Sequence, residues 1–246
     1  MLKGKVAIIT GASQGMGLSI AKQFLKSEAI IAICDINEEK LIQVTKEFDS
    51  NLVYSKKVDV SNYEEVNLFV SEVKKRFGKI DILVNNAGIL RSTRISDISL
   101  EEWHLVQNVN VNGVFHFIKE VIPYMSSQKY GRVVNIASIA GRSVSTQGGA
   151  HYTTSKAAVI GLTRAAAKEL GVHNITVNAI CPGLVDTPMG RGASTEGEIR
   201  EFMKGFAIKR WCKPEEVADL ALFLASEKAG YITGASIDIN GGDLMI

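Results

Sequence analysis

The chain has 246 residues, of which 46% are hydrophobic and 22% charged, with a formal net charge of +2. That composition excludes a disordered or fibrous chain, and so weak and even a balance gives no footing to nucleic acid or a membrane surface; small molecules are the expected partners. The apolar run in MLKGKVAIIT ends in a glycine turn well short of a signal peptide's core, and no later segment approaches a transmembrane length, so a cytoplasmic location is expected.

Short β-branched runs then alternate with longer amphipathic segments. The runs are KVAIIT (5–10), AIIAIC (29–34), LVYSKKV (52–58), DILVN (81–85), GRVVNIA (131–137), ITVNAI (175–180) and ASIDIN (235–240). Several are apolar at nearly every position, as strands buried on both faces of a parallel sheet must be. Helical spacing fills the gaps; in EEVNLFVSEVKKRF (64–77), Val66, Phe69, Val70 and Val73 fall on one face. Strands alternating with helices imply βαβ units, and no linker or repeat interrupts them. The expected fold is therefore α/β: a single doubly wound Rossmann domain over residues 1–246, with a seven-stranded, mainly parallel sheet flanked by helices. Residues 186–210 are glycine-dotted, polar and long for a connection, which marks a substrate lid. Met189, Phe202, Met203, Phe206 and Trp211 supply it with apolar surface. Cys34, Cys181 and Cys212 are scattered without C-x-x-C spacing, as buried free thiols are, and no metal site is expected.

TGASQGMG (10–17) follows the first run directly, with glycines at 11, 15 and 17. Small residues there let the backbone turn sharply and approach a pyrophosphate, which free N–H groups and the positive end of a helix dipole favour. The G-x-x-x-G-x-G spacing resembles the T-G-x-x-x-G-x-G of the short-chain dehydrogenase/reductase family, and the resemblance recurs in order along the chain. Asp59-Val60, NNAG at 85–88, Asn110 in NVNG, Ser138, YTTSK at 152–156, PGLVDTPM at 182–189 and IDINGG near the C-terminus all take part. Gly11, Asp35, Asp59, Asn86, Ser138 and Pro182 each lie at or just past the end of a strand-like run, where an open α/β sheet forms its ligand crevice.

Asp35 falls about twenty residues past the glycine loop, where an acidic side chain hydrogen-bonds the adenosine ribose and repels a 2′-phosphate. Ile36 and Gln14 offer no compensating cation, so NAD is the expected cofactor. Asp35 also stands where it can cap the following helix. The resemblance implies that Ser13, Gln14 and Met16 join the three loop glycines at the cofactor. It further implies that Asp59 accepts from the adenine, that Val60, Asn86 and Gly88 line the adenosine side, and that Pro182, Gly183, Val185 and Thr187 meet the nicotinamide end.

Y-x-x-x-K alone is weak, since a chain with this many lysines shows it about half the time by chance. On a helix, however, Tyr152 and Lys156 stack one turn apart. An ammonium about 6 Å from a phenol at an effective dielectric near 20 contributes about 2.8 kcal/mol, or about two pKa units, which would bring the phenol toward about 8. Tyr152 is then the expected general acid/base, with Ser138 orienting the carbonyl oxygen. By resemblance Lys156 also binds the nicotinamide ribose, Asn110 holds a relay water, and the assembly is a homotetramer with contacts through residues 100–128 and 151–171. The expected reaction interconverts a secondary alcohol and a ketone. A small alcohol, diol or polyol is preferred as substrate over the alternative, 3-oxoacyl-carrier-protein reduction, for which Lys129, Arg132, Arg142, Lys209 and Arg210 leave a basic docking surface open. A dinucleotide-binding regulator without turnover is the alternative of another class.

Overall fold

A computed structural model describes residues 1–145 and 147–246. Its seven strands coincide with the seven runs: β1 Val6–Thr10, β2 Ile30–Asp35, β3 Val53–Lys57, β4 Ile82–Asn85, β5 Gly131–Ile136, β6 Ile175–Pro182 and β7 Ser236–Ile239. They form one sheet in the order β3-β2-β1-β4-β5-β6-β7. Every pair is parallel, so the expected mainly parallel sheet is wholly so among the described residues. The order reverses between β1 and β4, the point at which a doubly wound sheet opens a crevice at its carboxyl edge.

Alternate residues of each strand feed opposite faces. Val6 and Ile8 pack with α3 (Tyr63–Phe77), α5 (Gly113–Gln128) and α6 (Ala150–Leu170) through Phe69, Phe117 and Val159. Ala7 and Ile9 pack with α1 (Gly15–Lys26), α2 (Glu38–Thr45) and α9 (Pro214–Ala225) through Ile20, Leu41 and Val217. The helices begin and end where local chemistry permits. Asn62 accepts from the N–H groups of Glu64 and Glu65 to start α3, and Gly78, at φ 76°, ends it in the left-handed region.

α4 (Leu100–Gln107) continues into α5 through a π-helical segment, Asn108–Asn112. Gly113, the residue that follows, has no room for a side chain: a Cβ there would lie 2.7 Å from Val60 Cγ2. The widened turn and the bare glycine together press this helix against the β3–α3 loop and aim Asn110 inward. In the 186–210 segment two helices replace the expected loop, α7 (Pro188–Gly192) and α8 (Glu196–Lys204), the second started by a Thr195–Glu198 capping box. No helix is long and apolar enough to cross a membrane among the described residues.

Candidate active site

β1 leads through Gly11–Gln14 into α1, whose first turn has neither a capping side chain nor an acidic residue. The N–H groups at its positive end are thus left for an anion. Gly17 is required by packing: a Cβ there would lie 2.2 Å from the Gly11 carbonyl oxygen and 2.5 Å from Asn86 Nδ2. It lies beneath the loop and outside the cleft lining, whereas Gly11, Ser13, Gln14, Gly15 and Met16 line a cleft of about 520 Å³. Asn86 also lines it, but its amide donates to the carbonyls of Thr10 and Gly11, both at 3.0 Å. Its Nδ2 therefore pins the loop while the residue lines the cleft where it was expected.

Asp35 projects from the end of β2 into the same cleft. Its Oδ2 accepts from Ser13 N at 3.0 Å and its Oδ1 from Asn37 N at 2.9 Å. The cap of α2 is Asn37, which accepts from Lys40 N at 3.0 Å, so the capping role allowed to Asp35 falls to its neighbour. A second correction concerns charge. Lys40 Nζ donates to Gln14 Oε1 at 2.7 Å, which brings a cation to the adenosine end that the sequence reading did not foresee. The only signal was a lysine on the first turn of the helix after Asp35. Asp59, Val60 and Gly88 line the cleft too, Asp59 using Oδ1 to accept from Ser61 N and Oγ at 2.9 and 2.7 Å.

The far end of the cleft is made by β5 and α6. Ser138 follows β5 and accepts from Ala140 N at 3.1 Å, so it starts a turn as well as facing the site. Lys156 is buried and donates to the Ile136 carbonyl at 2.9 Å, with Nζ 5.7 Å from the centre of the Tyr152 ring. The stacking is as expected, but the pKa is not. Burial raises the Tyr152 phenol above the ordinary tyrosine value, with the Ser138 hydroxyl pulling it back. Burial also lowers the Lys156 ammonium to about 8. Desolvation of a phenolate outweighs one cation at this distance, so Lys156 alone does not bring the phenol toward neutrality.

His151 starts α6 beside Tyr152 and is wholly buried. Its Nδ1 accepts from Tyr152 N at 3.0 Å, which places the proton on Nε2, 2.8 Å from Glu102 Oε1. That carboxylate also accepts from Thr93 Oγ1 at 2.7 Å, and this chain of three side chains fixes the first turn that carries the tyrosine. Asn110, 1% exposed, accepts from Ile89 N and donates to Ile89 O and Ser155 Oγ. Both amide N–H groups are spent, which ties Asn110 to the Ile89 backbone and to α6 through Ser155. Asn108 and Asn112 instead bond each other at the surface.

Beyond β6 the expected residues part company. Thr187 lines the cleft, accepts from Gly190 N at 3.1 Å to start α7, and would touch a Cβ at Gly15 at 3.4 Å. Pro182 is the buried last residue of β6, paired with Ile239, and the Val185 side chain packs into the core while its backbone bridges to Cys212. Neither lines the cleft, because strand pairing at this edge holds them in the sheet. Gly183 lines a second, smaller cavity of about 70 Å³ with Ser138, Leu184, Phe202 and Phe206. Met189 reaches the large cleft, while Met203 and Trp211 pack against Leu184, Ile199 and Phe206. Tyr152 lines both cavities, alone among the described residues. Ser145, Gln147 and Asp243 also line the small one and were not foreseen; for Asp243 the only signal was a charged residue directly after IDINGG.

A glycine turn feeding an uncapped helix, an acidic residue closing β2, and a serine, tyrosine and lysine at the ends of β5 and α6 converge on one edge of the sheet. Residues 11–243 match the family described as enoyl-(acyl carrier protein) reductase. The chain belongs to the short-chain dehydrogenase/reductase family and is an oxidoreductase that acts on CH–OH groups and binds a nicotinamide dinucleotide. It is 39% identical to the 3-oxoacyl-[acyl-carrier-protein] reductase of Thermotoga maritima over 98% of each chain. It is 38% identical to the oxidoreductase UcpA of Salmonella typhimurium, over 99% of this chain and 96% of the other. The crystal structure of the 3-oxoacyl-[acyl-carrier protein] reductase from Brucella melitensis superposes with a TM-score of 0.92 at 34% identity, covering 100% of this chain and 93% of the other.

Proposed function

We propose that this protein interconverts a ketone and a secondary alcohol with NAD(H), using Tyr152 as the proton donor and acceptor. The observation that carries the reading is the position of Tyr152, where the large cleft meets the small cavity. The dinucleotide, when bound, supplies or accepts a hydride. The donor set suits it: free N–H groups at the start of α1 for the pyrophosphate, the Asp35 carboxylate for ribose hydroxyls, and Lys156 near the phenol. Ser138 donates to the carbonyl oxygen and sets its orientation. Tyr152 gives that oxygen its proton in reduction and takes it back in oxidation. Lys156 holds positive charge beside the phenol, and Asn110 holds the water through which the proton is replaced.

A 3-oxoacyl thioester is the first substrate class to test, because relatives similar along nearly the whole chain carry that name. This reverses the order in which the sequence alone ranked the two substrates. The second reading, a small hydroxyketone or diol, is favoured by the fate of the basic residues. Lys129 and Arg132 lie at the start of β5, at the opposite edge of the sheet from the cleft. Arg132 is tied to Glu227 at 3.3 Å, Arg142 to Asp238 at 2.8 Å and Arg210 to Glu216 at 2.7 Å, which leaves Lys209 as the one unpaired cation of the five, among the described residues, away from that opposite edge. Such a set offers an acidic carrier protein little to grip.

The test pairs cofactor and variant. With acetoacetyl thioester and simple hydroxyketones, the parent is expected to oxidise NADH at least about tenfold more efficiently than NADPH, a margin that Lys40 narrows and Asp35 maintains. Tyr152→Phe is expected to lower kcat by about a thousandfold or more while NADH affinity stays within about threefold. Preserved turnover removes Tyr152 from its role. Tight NADH binding without oxidation across the carbonyl panel favours a regulator instead.

A further inference from the structure

The small cavity beyond Tyr152 holds one ionisable group outside the reaction itself. Asp243 shares its wall with Ser138, Ser145, Gln147 and Tyr152, and no lysine, arginine or histidine lines it among the described residues. The carboxylate is half-buried and has no hydrogen-bonding or ionic partner among the described residues; burial raises its pKa. The turn that presents it is firmly held. Asp243 N donates to Asn240 O, Gly242 N to Asn240 Oδ1 and Asn240 Nδ2 to Leu244 O. A Cβ at Gly242, whose φ is +80°, would lie 2.8 Å from Ala207 Cβ, so the turn packs against the segment after α8.

The remaining polar wall supplies neutral hydroxyls and no cation to offset a second negative charge among the described residues. Gln147 spends its amide N–H groups on Gly190 O and Ser194 Oγ. Ser145 Oγ already accepts from Gln147 N and Gly148 N. An unpaired carboxylate in a partly dry cavity repels anions and welcomes hydroxyl or ammonium donors.

We infer that Asp243 is a charge filter on the substrate, admitting ketones that are neutral or carry a hydroxyl or amino group near the carbonyl and rejecting those with a carboxylate or phosphate there. The inference rests on the carbonyl chemistry proposed above and narrows its substrate class: a 3-oxoacyl ester or amide is accepted, the free 3-oxo acid is not.

The test uses the full chain and two near-isosteric probes, acetoacetate and acetoacetamide, with parent, Asp243→Asn and Asp243→Ser. NADH binding reports folding of each variant. Calorimetry on the NAD-loaded protein reads affinity without turnover, and NADH oxidation reads kcat/KM for the same pair. In the parent the amide is expected to be favoured over the acid at least about tenfold in Kd, about 1.4 kcal/mol. Either substitution should narrow that ratio by about tenfold, chiefly by tightening the acid. A ratio unchanged within about twofold in both variants overturns the filter whether or not turnover is seen. Discrimination in binding that collapses in the variants, with no NADH oxidation in the parent, upholds the filter and overturns the proposed reaction instead.

Discussion

Burial of Lys156 works against its own charge. The side chain is 6% exposed and desolvation lowers its pKa from 10.5 to about 8, whereas in the unfolded chain it titrates near the ordinary value. Below pH 8 both states hold the proton and the folded state bears the full desolvation cost. Between about 8 and 10.5 the unfolded chain binds more protons than the folded one, so this residue's contribution to stability rises with pH. Lys156→Met is therefore expected to resist urea better than the parent at pH 7, by up to roughly 3 kcal/mol, with the advantage shrinking toward pH 10.5. Urea midpoints of both proteins at pH 7 and pH 10 check it, and a pH-independent difference would show that desolvation is not the cause. The same residue shows where sequence reading stops. The one-turn spacing from Tyr152 was legible, because helix geometry sets it. The direction of the phenol's shift was not, because it depends on how dry the site is. Asn86 and Lys40 repeat the lesson: residue type and approximate place were readable, but which partner each side chain takes depends on contacts from distant strands and helices.

At the scale of elements, all seven strands were legible because parallel strands buried on both faces leave continuous apolar runs. α3 was legible in its periodicity and in its asparagine and glycine ends. The π-helical segment was not, since nothing in NVNVN separates a widened turn from an ordinary one; only the contact of Gly113 with Val60 makes the difference visible. The helices of 186–210 were missed because their glycines read as loop, although TEGE carries a capping box. α8 buries only Ile199, and its satellite cluster of Leu184, Ile199 and Phe206 stands apart from the two main faces of the core. So small a buried area makes α7 and α8 the segment to open at least cost. Phe202 and Phe206 border the small cavity while Thr187, Pro188 and Met189 border the large one, so a dinucleotide in the cleft touches the hinge side of this segment. Saturating NADH is expected to slow cleavage within residues 186–210 at least about fivefold in limited proteolysis. An unchanged rate would mean that the segment does not close over the site.

At the scale of the whole molecule, the carboxyl edge of the sheet accounts for the site and the two core faces account for the fold, but one part of the surface is explained by neither. Ile95, Leu100 and Phe115 are 79%, 74% and 48% exposed, on the approach to α4, on α4 and on α5. Singly such residues are ordinary, and a set of them along neighbouring elements is what a subunit contact would cover. Leu100 and Phe115 lie within residues 100–128, where the family resemblance places subunit contacts. Burying them also bears on catalysis, since α4 supplies Glu102, which accepts the bond that orders His151 beside Tyr152. A second copy packed on α4 and α5 would hold that helix in place and so steady Tyr152 from outside the subunit. Light scattering at micromolar concentration is expected to give four times the chain's 26.7 kDa. Phe115→Glu, which sets a charge on α5, should shift the mass to a smaller species and lower kcat about tenfold, with NADH affinity little changed because no residue of α5 lines the cleft among the described residues. A parent that scatters as a single chain would leave these side chains without a partner and remove the link from assembly to Tyr152.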